Sequence, residues 1–235
     1  MARNQQMKAK LITYKDRHTQ ADALSALIVT QIKERLKIKD KVSLSVPGGT
    51  TPAAFFETLS KTSEINWAQI HITLGDERWV DIDNPRSNYA LLTRHLNKNC
   101  AKSAHFYPLY QNITPPEHAL PDLEENLSPL FPLDICVVGM GLDMHTASLF
   151  PKADGLKRAL EATNQHHFTI IRPLGDEIRI SLCAHAFNTA TYCHVLICGT
   201  DKLDALKKAQ HETASMRAPI RLLLMHENTH IHFAP

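Results

Sequence analysis

Four glycine-bearing stretches of this chain gather side chains that could do chemistry. Gly139-Met140-Gly141-Leu142-Asp143-Met144-His145-Thr146-Ala147-Ser148 carries an Asp and a His two residues apart, after an apolar run and before an expected helix. Histidine titrates near neutrality, so His145 is the candidate general base. The competing reading is a histidine that only hydrogen-bonds its own loop. Gly75-Asp76-Glu77-Arg78-Trp79 follows a second apolar run. Its carboxylates could hold a polar ligand, and the planar fork of Arg78 could grip a carboxylate or phosphate. A surface salt-bridge cluster would have the same composition.

Pro47-Gly48-Gly49-Thr50-Thr51-Pro52 joins a strand to a helix. Glycines let a backbone approach a ligand closely, and free amides at a helix start attract an anion. The Thr50 and Thr51 hydroxyls add donors; a tight turn with a threonine cap is the plain alternative. The lysine of a nucleotide P-loop is missing, which argues against nucleoside triphosphates. Gly199-Thr200-Asp201-Lys202 puts a lysine in the first turn of a helix, where the dipole disfavours a cation. An anion sharing that site would resolve the conflict. His226, His230 and His232 are spaced as metal ligands can be, but without an acidic or Cys partner they read as a solvated strand end. His166-His167 reads as a surface loop. No metal and no cofactor are expected.

These residues need a frame. The 43% hydrophobic and 21% charged composition over 235 residues suits one large domain spanning 1–235. Leu24, Leu27, Ile28, Ile32 and Leu36 share one face of a helix expected over 21–36. Apolar strands are expected at 43–46, 70–74, 134–138, 178–182, 193–198 and 220–224. Further helices are expected from Thr51-Pro52 to about Leu59, with Thr51 as cap and Pro52 in the first turn, then after Ser87-Asn88, and from Gly199 to Gln210. Residues 107–132, rich in proline and acids, read as a long excursion. Strands alternating with helices predict an α/β fold, a mainly parallel doubly wound sheet with helices on both faces. In such folds ligands sit at the carboxyl ends of strands, where the four stretches fall.

The net charge of +2 is too small for a polyphosphate or membrane partner, and no basic block interleaved with aromatics points to nucleic acid. Cys100, Cys136, Cys183, Cys193 and Cys198 form no Cys-x-x-Cys pair and read as reduced thiols. A polar start and the lack of any run of ~20 apolar residues predict a soluble, cytoplasmic protein. Nothing in the sequence indicates an oligomeric state.

Taken in order, the stretches resemble the 6-phosphogluconolactonase family. The family's Gly-Gly-Ser/Thr-Thr-Pro loop is similar to Gly48-Gly49-Thr50-Thr51-Pro52, and its Gly-Asp-Glu-Arg-Trp-Val and Ser-Asn-Tyr elements to 75–80 and Ser87-Asn88-Tyr89. Its Gly-Met-Gly-x-Asp-Gly-His-Thr-Ala-Ser-Leu-Phe-Pro signature matches 139–151 except at Met144, where the family has glycine. Arg179-Ile180-Ser181-Leu182 and Gly199 to Lys202 complete the series, and Pro47 stands where a small residue is common. The resemblance implies the fold of glucosamine-6-phosphate deaminases and ribose-5-phosphate isomerases, and a phosphorylated sugar lactone as the partner molecule. It implies His145, Asp143 and Arg78 as catalytic residues: the base, its orienting carboxylate and the group polarising the lactone. Gly48, Gly49, Thr50, Thr51, Asp76, Lys202 and Arg179 would bind substrate, with Arg172 an alternative to Arg179. A glucosamine-6-phosphate deaminase and a non-catalytic sugar-phosphate-binding regulator are the rival readings.

Overall fold

Continuous apolar runs form the centre of a seven-stranded, wholly parallel sheet in the computed structural model, which describes residues 7–235. Residues 1–6, part of the polar start weighed above, lie outside the described residues. Strands β2 (Val42–Val46), β3 (Ile70–Leu74) and β6 (Ile135–Val138) are buried at every position, as a sheet covered on both faces requires. With β1 (Lys10–Thr13), β5 (His105–Tyr107), β9 (Tyr192–Cys198) and β10 (Thr229–Ala234), the order is β1-β10-β9-β6-β2-β3-β5. From β2 the chain steps outward to β3 and β5, then returns at β6 to build the other half. The order therefore reverses between β2 and β6, and a crevice opens outside their carboxyl ends. Pro47-Gly48-Gly49 and Gly139-Met140-Gly141 leave the sheet at that crevice.

Helix α1 (Arg17–Leu36) starts four residues before the expected position because Asp16 caps it, its Oδ1 accepting from the Thr19 amide at 2.8 Å. Leu24, Ile28 and Ile32 on its apolar face are fully buried. Helix α2 (Ala53–Ser60) has Pro52 at its N-cap without a side-chain hydrogen bond, so Thr51 does not cap it as expected. Helix α3 (Asn88–His95) is capped by Ser87. Helices α4 (Leu120–Leu127), α5 (Leu156–Leu160), α6 (Ala184–Asn188), α7 (Thr200–His211) and α8 (Arg221–Leu224) complete the set. Helix α4 lies inside the 107–132 excursion and anchors it through buried Leu123 and Leu127. The buried apolar residues form one cluster, from Ala9 to Phe233.

Several expectations are corrected. The segment 220–224 is helical: Leu is a strong helix former, and a short apolar run does not distinguish helix from strand by period. No helix directly follows His145; residues 146–154 make turns and isolated bridges, and α5 begins only at Leu156. The expected single sheet is two. Strands β4 (Asp76–Arg78), β8 (Arg179–Leu182) and β7 (Phe168–Ile171) form a separate antiparallel sheet in the order β4-β8-β7. The short link 172–178 permits only a hairpin, since a parallel pair needs a crossover of about a dozen residues.

Of the C-terminal histidines, His226 and His230 are partly exposed, but His232 is not solvated. His232 is fully buried, and its Nδ1 lies 2.8 Å from the Tyr14 hydroxyl while its Nε2 lies 3.0 Å from His194 Nδ1. His194 Nε2 in turn meets Gln31 Oε1 at 2.9 Å. His167 is likewise tied down, bonded to Glu124 at 2.8 Å and stacked on Phe131. At the amino ends of β2 and β6, buried Asp134 binds Arg35 at 2.7 Å, Lys39 at 2.8 Å and the Ser43 amide at 2.8 Å.

Candidate active site

A cavity of about 350 Å³ opens at the carboxyl ends of β2, β6 and β9, within the range of small-ligand sites. His145 lines it from the turn after β6. Its Nδ1 is 2.5 Å from Asp143 Oδ1, which also accepts from the His145 amide at 3.3 Å. The turn is closed by the Gly141 amide donating to the His145 carbonyl at 2.9 Å. Gly141 is required there: a Cβ would stand 2.1 Å from His145 Nδ1. Burial works against the Asp143 charge, but hydrogen bonds from the His145 ring and amide outweigh it and hold the carboxyl below its ordinary value. An ionised acceptor on Nδ1 fixes that nitrogen as the donor, leaving Nε2 as the basic atom. Phe150 packs on the imidazole with ring centroids 4.2 Å apart.

Met144, inside the same turn, has φ of +68°, a left-handed angle that glycine takes without strain. Its side chain packs on the apolar core and is not among the residues lining the cavity, and its carbonyl accepts from the Ile220 amide at 3.1 Å. Met144 thus supplies the angle without entering the cavity.

Asp76 and Arg78 line the cavity from β4, while Glu77 between them points the other way. Glu77 accepts from the Asn88 and Tyr89 amides at 2.7 and 2.8 Å and from Ser87 Oγ at 2.9 Å, so it holds the start of α3. Burial pushes its carboxyl above the ordinary value even though those donors oppose the shift. Asp76 Oδ2 accepts from Ser148 Oγ at 2.5 Å. Arg78 donates to the Arg86 carbonyl, and its Nε is buried without a partner.

Gly48, Gly49 and Thr51 line the cavity; Thr50 faces an adjoining recess beside Arg17 and Gln20. Gly48 permits a close approach, because a Cβ there would lie 2.0 Å from Asn88 Oδ1. Lys202 reaches across from α7 to donate to the Met140 carbonyl at 2.8 Å. Of the two alternative arginines, Arg179 lines the cavity, nine-tenths buried or more, while Arg172 lies outside the lining and pairs with Glu117 at 2.5 Å. The cavity therefore collects every proposed residue except Thr50, Asp143 and Arg172, with Asp143 behind the imidazole.

Sequence reasoning missed Asn88, Phe150 and Asp176, all of which line the cavity. Asp176 had a signal: Leu174-Gly175-Asp176-Glu177 repeats Leu74-Gly75-Asp76-Glu77, and both segments end at the cavity. Among the described residues, no group of three or more His, Cys, Asp or Glu is placed to hold a metal ion. None of the described helices is long and apolar enough to cross a membrane.

Residues 15–232 match the family model described as glucosamine-6-phosphate isomerases/6-phosphogluconolactonase. A 6-phosphogluconolactonase of Rhizobium meliloti is 34% identical over 220 residues, covering 93% of this chain and 94% of that protein. The crystal structure of a 6-phosphogluconolactonase from Shewanella baltica superposes with a TM-score of 0.91 at 31% identity, over 96% of this chain and 97% of that one. A monomeric glucosamine-6-phosphate deaminase superposes with a TM-score of 0.79 at 16% identity over 96% of this chain and 97% of that one, which shows a shared fold alone.

Proposed function

Because this chain belongs to the glucosamine-6-phosphate isomerase/6-phosphogluconolactonase family, we infer that it hydrolyses 6-phospho-D-glucono-1,5-lactone to 6-phosphogluconate, the lactone-opening step of the pentose phosphate pathway. The observation that carries the mechanism is the 2.5 Å contact between His145 Nδ1 and Asp143, with the imidazole facing a cavity also lined by Arg78, Arg179 and Lys202. Nε2 takes a proton from water as the oxygen attacks the lactone carbonyl, and Asp143 stabilises the imidazolium that forms. Negative charge develops on the carbonyl oxygen, and Arg78, the cation with an unpartnered Nε, receives it. When the ring C–O bond breaks, the imidazolium returns its proton to the departing oxygen. The sugar phosphate is held by Lys202, Arg179 and the Gly48-Gly49 loop leading into α2, with the Thr51 hydroxyl on the phosphate and Asp76 accepting from a sugar hydroxyl.

Hydrolysis of a lactone is neither an oxidation nor a reduction, so the step needs no redox cofactor, and its proton transfers are assigned to His145. We also propose that residues 1–235 act as one domain and that the protein works in the cytoplasm, a reading supported by the pentose phosphate reaction of its relatives. Acid release from freshly made lactone is the test. His145→Ala should lower kcat by roughly 100- to 10,000-fold while the variant still folds. Turnover within a few-fold of wild type would remove His145 from the mechanism.

A further inference from the structure

The cavity walls carry three cations, Arg78, Arg179 and Lys202. Arg78 and Lys202 have no carboxylate partner within salt-bridge distance among the described residues; their guanidinium and ammonium groups meet backbone carbonyls instead. Arg179 differs. Its Nη2 is 2.5 Å from Asp176 Oδ2, and Asp176 itself lines the cavity. Glu177 stands further from the same nitrogen, at 3.7 Å, and takes Arg86 at 2.5 Å as its nearer partner. One of the three cations that should receive an anionic ligand is thus already occupied, by an anion belonging to the protein.

The two partners are held very differently. Arg179 sits in β8, almost completely buried, with its guanidinium carbon 5.6 Å from the centre of the Phe150 ring. Asp176 is exposed, on the 172–178 link between β7 and β8, two residues after Leu174, which is 85% exposed. The cation is therefore fixed by burial, and the carboxylate is the exposed member, held on its own link by the Glu177 amide, which donates to Asp176 Oδ1 at 2.8 Å and leaves Oδ2 to Arg179. It also has somewhere to go: Arg86 Nη2, on a half-exposed side chain, already lies 3.4 Å from Asp176 Oδ1. Hydrogen bonding with Glu177, together with the Arg179 charge, holds the Asp176 carboxyl well below the usual carboxylate range, so it is an anion throughout the neutral range.

We propose that Asp176 is an affinity-setting residue, a built-in anion that occupies Arg179 in the empty cavity and yields to the phosphate of the substrate by passing to Arg86. This rests on reading Arg179 as a phosphate contact. The exchange has two consequences. It keeps the buried guanidinium neutralised and oriented while the site is empty, since a buried charge without a partner is costly. It also weakens every anion that must displace Asp176, so a small anion with few other contacts, such as inorganic phosphate, binds poorly. A sugar phosphate recovers the difference through its ring contacts.

The sign of one substitution separates this from a merely structural role. Asp176→Asn keeps the shape and a hydrogen-bond acceptor but removes the competing charge. The probe is inorganic phosphate as a competitive inhibitor of lactone hydrolysis, at constant ionic strength, with Asp176→Ala as a second variant. Both variants should lower the inhibition constant about tenfold, the scale for removing a like charge a few ångströms from a bound anion at a partly wet site. If Asp176 only props Arg179 in place, the constant rises instead; an unchanged or raised constant overturns the proposal. Arg179→Ala tests the underlying reading separately. A large rise in the phosphate constant upholds Arg179 as the contact whatever Asp176 does. No change there removes both the reading and the proposal.

Discussion

Acid should unfold this protein through two histidines that take no part in catalysis. In the chain Tyr14–His232–His194–Gln31, the Gln31 oxygen only accepts, so His194 donates from Nε2 and accepts at Nδ1 from His232 Nε2. His232 Nδ1 then accepts from Tyr14. Every ring nitrogen is used: a proton added at His194 Nδ1 would face the His232 Nε2–H, and one added at His232 Nδ1 would turn the Tyr14 hydroxyl into an acceptor and leave a charge buried. Burial, with the neighbouring His230, depresses His232 to about 4, and burial with His232 and His230 moves His194 well down too. The unfolded chain takes up its proton near 6.5, so stability is fully present above that pH and is lost as pH falls toward 4. For His232 alone, moving from pH 6.5 to 5 spans ~1.5 units and costs about 2 kcal/mol. In a chain of this length that is a fall in Tm of about 4–8 °C. His71 and His230 are shifted in the same direction and can only add to it. Urea melts between pH 7.5 and 5 measure the slope, in a window above the range where the lowered carboxylates act. His232→Gln preserves both bonds, donating to His194 and accepting from Tyr14, and should flatten part of the slope. Wild-type stability that stays level from pH 7 to 5, or a slope unchanged by His232→Gln, would refute the reasoning.

Three further outcomes are expected. Asp134→Ala should cost about 3–5 kcal/mol, because it strips the shared anion from Arg35, Lys39 and the Ser43 amide; urea melts measure it, and specific activity of the folded fraction should be unchanged because Asp134 lies at the opposite end of the sheet. Met144→Gly should leave kcat/KM unchanged or modestly raised, since the side chain packs away from the cavity and glycine relieves roughly 1–2 kcal/mol of left-handed strain. An inactive natural protein rescued by that change would instead mark a decayed site. Lys202→Ala should cost roughly 2–5 kcal/mol in kcat/KM on the phosphorylated lactone, with a much smaller loss on unphosphorylated gluconolactone; equal losses would remove Lys202 from the phosphate.

The central strands were legible because Ile135–Val138 is an unbroken apolar run, as burial on both faces requires, and Ile70–Leu74 sets apolar residues at every second position. Each turn after them could be read singly as a cap or a salt-bridge cluster; their shared place at strand carboxyl ends and the family resemblance marked them as a candidate site. What escaped had physical reasons. Strand β1 is short, polar at both ends and on the sheet edge, and β4 has three residues, so neither offers a period to read. His230 and His232 alternate with Ile231 and Phe233, which looks like a half-solvated strand; the polar partners that make the histidine face buriable, Tyr14, Gln31 and His194, are remote in sequence. Arg172 and Arg179 could not be separated by type. Only the hairpin register, which sets Arg179 in β8 opposite β4, distinguishes them.

That register has a consequence for the fold itself. Arg78 and Arg179 are direct cross-strand partners in the β4–β8 ladder, a position where like charges repel. One of them also keeps a buried Nε without a partner. The small antiparallel sheet therefore tolerates its like-charged pair only with an anion beside it, and in the empty cavity that anion is Asp176 on Arg179. On the proposed reading, the substrate phosphate takes over on Arg179 when Asp176 passes to Arg86, while Arg78 meets the charge that develops at the lactone carbonyl. Ligand binding then stabilises the molecule unevenly. Amide exchange in β4, β8 and β7 should therefore slow far more on ligand binding than exchange in the parallel sheet.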